Sequence, residues 1–337
     1  MLALLSLLSI AGHAWADEPV ESPPRTITVA LDGSGDFTSL QEAVDSARNG
    51  DTVFIKPGAY PQDVTIHSKE RIKLVGAGVD HVTLLGHHER VGVLHVGKWP
   101  YGATNIEISG MTVHDHGGHA VGIFNGNGIT LRGLHVKGLL FGQQVGDVRI
   151  EDCVIGGSET TGVQLADSQA ILIGNMIHDN DYGVNIVGKS AVRLERNIIT
   201  RNVYEAVVVV DRASAILVSN TLVQNGVGAT FLGSATGEAS GNIVAFNKLG
   251  FLIAPSSSTT LSFNALFNRE GNYLKSGMPN THALELKPES DIITDPRFVD
   301  VEHHDFRLSP DTTLLNRGQF SYLGALPPLF NSATGNQ

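Results

Sequence analysis

Two columns of asparagine, separated by short apolar runs, predict an all-β solenoid, a right-handed parallel β-helix. The first column recurs at intervals of 22, 23, 22 and 22 residues and consists of Asn175, Asn197, Asn220, Asn242 and Asn264. The second follows four or five residues later and consists of Asn180, Asn202, Asn225, Asn247 and Asn268. Runs between the columns, such as GVQLA, GVNIV and AVVVV, are too short for helices and end at turn residues. A fixed period with three short strands per repeat predicts about ten stacked coils.

The asparagines are interpreted as structural residues. A solenoid turns sharply at the same place in every coil, and asparagine tolerates the left-handed backbone conformation. Its amide can also bond to the asparagine of the next coil, about 4.8 Å away, and form a buried ladder. Gly110, Gly133 and Asp152 continue the first column towards the N-terminus. The columns are therefore not candidates for a catalytic site.

The N-terminal segment MLALLSLLSIAGHAWA, residues 1–16, predicts a signal peptide. It ends in the A-x-A pattern of a signal-peptidase site, although no lysine or arginine precedes its apolar run. The run is too short for a spanning helix, which needs about 20 apolar residues. Residues 17–26 are polar and read as a linker, and we expect the mature protein to be secreted or periplasmic. The alternative is an apolar N-terminus without a targeting role.

The composition restricts the partners. The formal net charge is −11 and the chain has no long basic run, which excludes a nucleic-acid surface. A polysaccharide or oligosaccharide is the expected partner, and we expect a monomer. Cys153 is the only cysteine, and its apolar surroundings predict a small buried side chain rather than a nucleophile.

Residues 27–78 resemble the opening of pectinesterase-type and other pectate-lyase-fold proteins. In this stretch Thr38 or Ser39 can cap a short helix with Leu40, Ala43, Val44 and Ala47 on one face. Such a helix would plug the open end of the solenoid and cover its unpaired strands. Residues 295–318 resemble the closing segment of exported β-helix proteins, so the predicted domain spans 27–318 and a tail spans 319–337.

The resemblance implies a fold but no particular activity. Gln143 and Gln144 stand without the two aspartate motifs of pectinesterases, and the aspartate pairs of polygalacturonases are absent. The Asp-Pro-His signature of alginate epimerases is absent as well. A pectinesterase function would rest on the cap and the first coils alone.

The densest set of reactive side chains lies in two successive repeats, in the loops before the strands GVNI and AVVV. The resemblance implies that ligands lie along an exposed sheet and the loops that precede it. Alignment of the repeats on the asparagines brings together the predicted catalytic residues His178, Asp181, Tyr182, Arg201 and Glu205. This set could supply acid and base to a uronate ring, bind a sugar or position Ca²⁺. The predicted substrate-binding residues are Gln164, Asn185, Tyr204 and His119.

Two alternatives for these side chains stay open. Asp179 and Arg201 could form a surface ion pair while the tyrosines cover the loop. A second cluster has the composition of a zinc or copper site and comprises His114, Asp115, His116 and His119. No metal or cofactor follows from the sequence, although Ca²⁺ is compatible with the carboxylates.

Two classes of function agree with these patterns. The first is an exported carbohydrate-active protein that acts on a uronate polysaccharide by β-elimination or C5 epimerisation. The second is a non-catalytic periplasmic β-helix that binds glycan or metal as an accessory protein. An enzyme needs a base and a partner group that converge in an open groove.

Strand alternation predicts that one outer face turns from polar to apolar along the solenoid. One outward position holds Gln164, Asn185, Val208, Thr230 and Leu252, and the next holds Ala166, Val187, Val210, Leu232 and Ala254. The apolar part exceeds what a monomer usually exposes, so we expect a cover. The expected cover is the irregular region after residue 265, which holds Phe298, Phe306, Leu323, Leu326 and Phe330.

Overall fold

The computed structural model of the protein describes residues 23–86, 92–276 and 287–329. Three parallel sheets wind around one continuous apolar interior, and most coils contribute one strand to each sheet. The predicted right-handed parallel β-helix is confirmed, and the first sheet alone holds 11 strands.

Sheet A begins at the N-terminal end of the solenoid and runs its whole length. Its strands are β1 (Thr26–Val29), β2 (Thr52–Ile55), β5 (Lys73–Gly76), β8 (Glu107–Ser109), β10 (Asn127–Arg132), β12 (Gly146–Glu151), β15 (Gln169–Ile173), β18 (Ala191–Glu195), β21 (Ser214–Val218), β24 (Thr236–Ser240) and β27 (Ser258–Ser262).

Sheet B follows sheet A in each coil and is built of short strands. Its strands are β3 (Gly58–Tyr60), β6 (Val82–Leu85), the first parts of β9 (Thr112–Phe124) and β11 (His135–Gln143), β13 (Val154–Gly156), β16 (Met176–His178), β19 (Ile198–Thr200), β22 (Thr221–Val223), β25 (Ile243–Ala245), β28 (Ala265–Phe267) and β30 (Ile292–Ile293).

Sheet C completes each coil. Its strands are β4 (Val64–Ile66), β7 (Leu94–Val96), the second parts of β9 and β11, β14 (Thr161–Ala166), β17 (Tyr182–Val187), β20 (Glu205–Val209), β23 (Val227–Phe231), β26 (Leu249–Ile253) and β29 (Gly271–Lys275). In the coils of β9 and β11 the chain passes from sheet B to sheet C within one strand, with an irregular register between them.

The predicted cap is helix α1, Leu40–Ser46. Ser39 is its N-cap, because its side chain accepts a hydrogen bond from the backbone N–H of Glu42. Leu40, Ala43 and Val44 are fully buried against the first strands, as the periodicity predicts. The helix therefore closes the N-terminal end of the apolar interior.

Both asparagine ladders are confirmed as buried structural elements. In the first ladder, Nδ2 of Asn175 donates to Oδ1 of Asn197 at 2.9 Å, and Asn197 repeats the bond to Asn220 at 3.0 Å. In the second ladder, Asn180 donates to Asn202 at 3.0 Å in the same way. Each ladder oxygen also accepts a backbone N–H, so the coils that carry both ladders are tied to one another at two turns.

Two details of the ladder prediction are wrong. The ladder asparagines do not adopt the left-handed conformation; the residue immediately before each of them except Asn268 does, as at Gly174, Arg196 and Ser219. Gly110, Gly133 and Asp152 occupy this preceding position, so the ladder position itself holds Met111, Leu134 and Cys153.

Cys153 ends the first ladder on the N-terminal side. Its backbone N–H donates to Oδ1 of Asn175 at 3.0 Å, and its side chain is buried. Burial raises the pKa of its thiol to about 11, so the predicted structural role is confirmed. At the other end Asp291 accepts the backbone N–H of Asn264 at 2.8 Å and the hydroxyl of Tyr273 at 2.9 Å.

The C-terminal segment folds back across the solenoid but not where the sequence placed it. It forms two hairpins, β31 (Phe298–Asp300) with β32 (Asp305–Leu308) and β33 (Leu315–Arg317) with β34 (Phe320–Tyr322). Its apolar side chains pack on sheet B, on residues that include Ile198, Val223, Ile243, Ala245 and Ala265. The prediction of a cover on sheet C was wrong. The strands of sheet B have only about three residues each, so the sequence pattern does not reveal that their outer side chains are apolar.

Several predictions fall outside the described residues: the signal peptide 1–16, most of the linker 17–26, and Phe330. The predicted boundary between the domain and the tail at 318/319 falls inside the hairpin of β33 and β34. Among the described residues no helix is long and apolar enough to cross a membrane.

Candidate functional site

The outer face of sheet C changes in chemistry from one end of the solenoid to the other. Strand register aligns one side chain per coil in a column of Thr65, His95, Gly122, Phe141, Gln164, Asn185, Val208, Thr230, Leu252 and Leu274. The early coils therefore carry histidine and aromatic rings, the middle coils carry amides, and the late coils are apolar except for Thr230. The predicted alignment of Gln164, Asn185, Val208, Thr230 and Leu252 is confirmed.

Tyr182 and Glu205 lie side by side at the edge of this face. Val184 of β17 pairs with Val207 of β20. Tyr182 and Glu205 each lie two positions before this pair, so the register places them next to each other on adjacent coils. The ring of Tyr204, which is 50% exposed, lies 5.1 Å from the ring of Tyr182. Glu205 is half-buried, so a carboxyl group and two phenols share a partly shielded edge of this face.

The electrostatics of this edge favour the protonated forms. Burial raises the pKa of the Glu205 carboxyl above its usual range. The hydroxyl of Thr230 lies near enough to offset part of this rise, but it makes no hydrogen bond of normal geometry. Burial and the neighbouring Glu205, Tyr204 and Asp181 raise the pKa of Tyr182 as well. At neutral pH the tyrosine is therefore a proton donor, and the carboxyl is a stronger base than an exposed one.

His178 and Arg201 lie apart from the Tyr182 and Glu205 pair, at the turn between sheets B and C. Arg201 binds both carboxylate oxygens of Asp179, at 2.8 and 2.7 Å, and Nδ1 of His178 lies 2.7 Å from Oδ2 of the same group. This contact lowers the pKa of Asp179 to about 2. The alternative of a surface ion pair is thus confirmed, and the guanidinium of Arg201 is already engaged by a carboxylate.

Gln164 and Asn185 are paired on neighbouring strands and form the amide part of the face. Both side chains are half-buried and point outward between inward Val163, Val184 and Ile186. Oδ1 of Asn185 is buried with no hydrogen-bond partner among the described residues. A buried polar atom without a partner is uncommon, and a ligand hydroxyl could satisfy it.

His119 belongs to an aromatic cluster that adjoins the amides. Its ring stacks on Phe141 at 4.9 Å with an interplanar angle of 10°, and Phe124 contacts both rings. Phe141 is the strand neighbour of Gln164, so the predicted binding residues His119, Gln164 and Asn185 follow one another on one face. Burial lowers the pKa of His119, while the nearby Asp115 opposes this shift.

Comparison with known proteins agrees with this architecture. Residues 99–271 match the family described as "Right handed beta helix region", and this match covers 173 of the 337 residues. The chain belongs to the right-handed β-helix family. The resemblance to pectate-lyase-fold proteins is thereby confirmed at the level of the fold.

Two solved structures share the fold of this β-helix protein. Pectate lyase Pel9A is 15% identical, with a TM-score of 0.51, over 91% of this chain and 97% of that chain. The A-module of the mannuronan C-5 epimerase AlgE6 from Azotobacter vinelandii is 15% identical, with a TM-score of 0.58, over 70% of this chain and 73% of that chain.

A curated relative matches a short part of the β-helix protein. A pectinesterase/pectinesterase inhibitor from Ficus pumila var. awkeotsang is 37% identical over 65 residues. The match covers 18% of this chain and 12% of the relative, so the chain spans only a small fraction of that protein.

The histidine cluster of the β-helix protein does not form a metal site among the described residues. No group of three or more histidine, cysteine, aspartate or glutamate side chains in that part of the chain is arranged to hold a metal ion. The carboxylate of Asp115 instead accepts the backbone N–H groups of Gly117 and Gly118, which shapes the passage of β9 from sheet B to sheet C. The side chain of His116 is not among those described.

Three contributors to this face are not predicted from the sequence: His95, Phe124 and Phe141. They precede the regular asparagine repeat, so alignment on asparagines could not register them. The sequence does contain an indication of them, because inward and outward positions alternate along a strand. This alternation places His95 in HVG, Phe124 in GIFN and Phe141 in LLFGQ on the outer side of strands β7, β9 and β11.

Proposed function

We propose that the protein is an exported carbohydrate-active β-helix that binds a uronate polysaccharide along the outer face of sheet C and acts on it with Glu205 and Tyr182. The observation that carries this proposal is the half-buried Glu205 carboxyl, with its raised pKa, beside Tyr182 on the adjacent coil. Perturbed acid and base groups at the edge of a groove mark candidate catalytic sites. The apolar segment 1–16 supports export, and the fold is one that polysaccharide lyases and epimerases also use.

The chemistry that fits these groups is proton abstraction next to a carboxylate. Glu205, as the carboxylate, takes the C5 proton of a uronate ring, and the electron pair of the broken C–H bond moves onto the sugar carboxylate. In β-elimination the C4–O bond then breaks, and the hydroxyl of Tyr182 gives its proton to the leaving oxygen. In epimerisation the hydroxyl of Tyr182 instead gives its proton to C5 on the opposite side of the ring, and no bond to oxygen breaks.

The sugar carboxylate needs hydrogen-bond donors while negative charge develops on it. Arg201 does not serve, because Asp179 occupies its guanidinium. The side-chain amides of Asn185 and Gln164 lie one and two coils away from Glu205 and present donors to the same face. Donors fixed before the reaction stabilise a developing charge without reorganisation.

The test is to incubate the purified protein with a panel of uronate polysaccharides. Unsaturated-uronate absorbance reports elimination, and exchange of the C5 proton in heavy water reports epimerisation. Glu205→Gln is expected to lower the rate by about 10²-fold or more, while the matched variant Glu238→Gln on the exposed face of sheet A keeps full activity. Full activity of Glu205→Gln would exclude this site.

A second candidate function is non-catalytic glycan binding by an accessory protein. It is favoured by the ion pair of Arg201 with Asp179, because this pair engages the guanidinium of a predicted catalytic residue. Saturable binding of a saccharide, with no product and no C5 exchange on any member of the panel, would select this candidate.

A further inference from the structure

A cleft of about 500 Å³ lies between helix α1 and the first strands of sheet C. Its walls include Asp45 of α1, Thr65 and His67 from the coil of β4, and Lys98 and Trp99 from the turn after β7. It differs from the edge formed by Tyr182 and Glu205, because it is bounded by the cap helix and not by the loops of the middle coils.

Two side chains of this cleft lack the contacts that a purely structural role would give them. The indole of Trp99 is 71% exposed, although tryptophan is the side chain that gains most from burial. The ammonium group of Lys98 has no hydrogen-bond or ion-pair partner among the described residues. An exposed aromatic ring beside an unpaired cation presents a surface for a ligand with an apolar face and a negative charge.

The remaining walls offer polar groups for hydroxyls. Oδ1 of Asp45 accepts a hydrogen bond from Gln41 at 2.8 Å, and its other oxygen has no partner in the described chain. Gln41 itself is fixed on the edge of β4, where it bonds to the backbone of Thr65 in both directions. Nε2 of His95 is buried without a hydrogen-bond partner in the part of the chain that the structure describes.

The cleft opens onto the same face as the proposed active site. Phe124 lines the cleft, contacts His95 edge-on at 5.7 Å and lies 5.7 Å from Phe141. Phe141 pairs with Gln164 on the next coil, and Gln164 pairs with Asn185 on the coil after that. From β7 to β17 the face crosses four coil spacings, or roughly 20 Å at about 4.8 Å each. An extended oligosaccharide can therefore reach from the cleft to the amides along a row of aromatic and polar groups.

We propose that this cleft is a binding subsite for an anionic sugar residue, a hexuronate, of a chain that continues along sheet C to Glu205. The carboxylate of the sugar pairs with Lys98, the C–H face of its ring packs on Trp99, and its hydroxyls donate to Asp45 and His95. This inference rests on the proposed function. It adds the requirement that the substrate carries a negative charge on a sugar residue several units away from the reacting ring.

The tryptophan content makes the subsite directly observable. The chain holds only two tryptophans, Trp15 and Trp99. In the full chain with Trp15→Phe, tryptophan fluorescence reports on Trp99 alone. The variant Glu205→Gln is added as a background, so that turnover does not consume the ligand.

The probes are oligogalacturonate and oligomannuronate, each compared with its fully methyl-esterified form, which keeps the rings and removes the charge. We expect a saturable change in Trp99 fluorescence with one of the acid forms and at least tenfold weaker binding of its ester. Lys98→Gln should weaken binding of the acid form about tenfold and leave binding of the ester unchanged. The matched variants Lys189→Gln and Tyr101→Ala, which remove an exposed lysine and an exposed aromatic ring outside the cleft, should bind like the parent.

Calorimetry on the same samples separates the two proposals. Heat of binding without any change in Trp99 fluorescence would overturn the subsite and leave the proposed function standing. Equal affinity of the parent for the acid and the ester, or of Lys98→Gln and the parent for the acid, would overturn the charge requirement. No binding of either acid oligosaccharide by either method would overturn both the subsite and the uronate function.

Discussion

The outer faces of sheets B and C, which belong to the same coils, differ in what lies on them. Sheet B is covered, because the C-terminal hairpins bury Phe306, Leu308 and Leu323 on its short strands. Sheet C carries half-buried amides and tyrosines, and the buried contacts of the C-terminal segment lie elsewhere. The covered face is largely apolar, although it includes Thr200 and Thr221, and Oγ1 of Thr200 has no hydrogen-bond partner in the described chain. Among the described residues, the outer face of sheet C holds three such buried atoms, in His95, Asn185 and Thr230.

This difference indicates that the outer face of sheet B stabilises the fold, whereas the outer face of sheet C is suited to binding a ligand. On sheet B, apolar side chains stabilise the fold through burial, which contributes about 25 cal/mol per Å² of apolar area. On sheet C, Asn185 and Glu205 cost stability, since a polar atom without a partner and a desolvated carboxyl are both unfavourable. Such costs persist in folds mainly where a ligand makes use of them.

Removal of one aromatic ring from each face should give the largest difference in stability between the two faces. Phe306→Ala leaves a cavity under the C-terminal segment and should lower the free energy of unfolding by about 3–5 kcal/mol. Tyr204→Ala on sheet C removes a half-exposed ring and should leave thermal stability nearly unchanged while it weakens saccharide binding. Chemical denaturation of both variants checks the pair, and equal losses of stability would erase the distinction between the faces.

Tyr182→Phe removes only a hydroxyl from the open face. As the proposed proton donor, it should lower turnover of the uronate substrate by about 10²-fold with an unchanged fold. Tyr101→Phe is the matched control, because Tyr101 is exposed on a different turn. Steady-state rates decide, and a Tyr182→Phe variant with parental kcat would remove the phenol from the mechanism.

Two asparagines test the comparison at the level of single amides. Asn197→Ala should cost about 1–3 kcal/mol, since it leaves the amides and backbone groups of neighbouring coils unsatisfied in the interior. Asn185→Ala should cost far less, because Oδ1 of Asn185 has no partner to lose. Melting temperatures of the two variants give the answer, and a larger loss for Asn185 would mean that its amide is structural.

The pH dependence of stability should reveal the burial of Glu205. Its folded-state pKa is raised, so its contribution to stability is fully present below the unfolded-state pKa of about 4.3 and is lost as the pH rises through the folded-state pKa. Glu205→Gln should therefore gain stability relative to the parent as the pH rises to neutral. Unfolding curves across this range check the trend, and a constant difference would show that the carboxyl is solvated.

The smallest effect is expected at the ion pair between the two faces. The pKa of Asp179 is lowered to about 2, so its stabilisation is present above the unfolded-state pKa of about 3.9 and is lost as the pH falls towards 2. Both partners are partly exposed, and Arg201→Gln should cost less than about 1 kcal/mol. Activity should persist in this variant; a loss of 10²-fold would return Arg201 to the active site.

The sequence predicted the fold well because the ladder asparagines recur in the chain at the spacing that stacks them in space. It predicted less of the site, because function here depends on which face of a coil is covered. In strands of three residues, such as β19, the sequence is too short for alternation to reveal an apolar outer side. The C-terminal cover was therefore assigned to the wrong sheet. His178 and Tyr182 are four residues apart, yet the turn at Asn180 sends them to different faces.

The most direct test of the central claim is a crystal structure of Glu205→Gln with a bound uronate oligosaccharide. We expect a saccharide chain on the outer face of sheet C, with sugar hydroxyl or carboxylate groups within hydrogen-bond distance of Gln164 and Asn185 and one ring against Tyr182. A saccharide bound to sheet A or to the C-terminal hairpins, with the face of sheet C empty at saturating ligand, would contradict it.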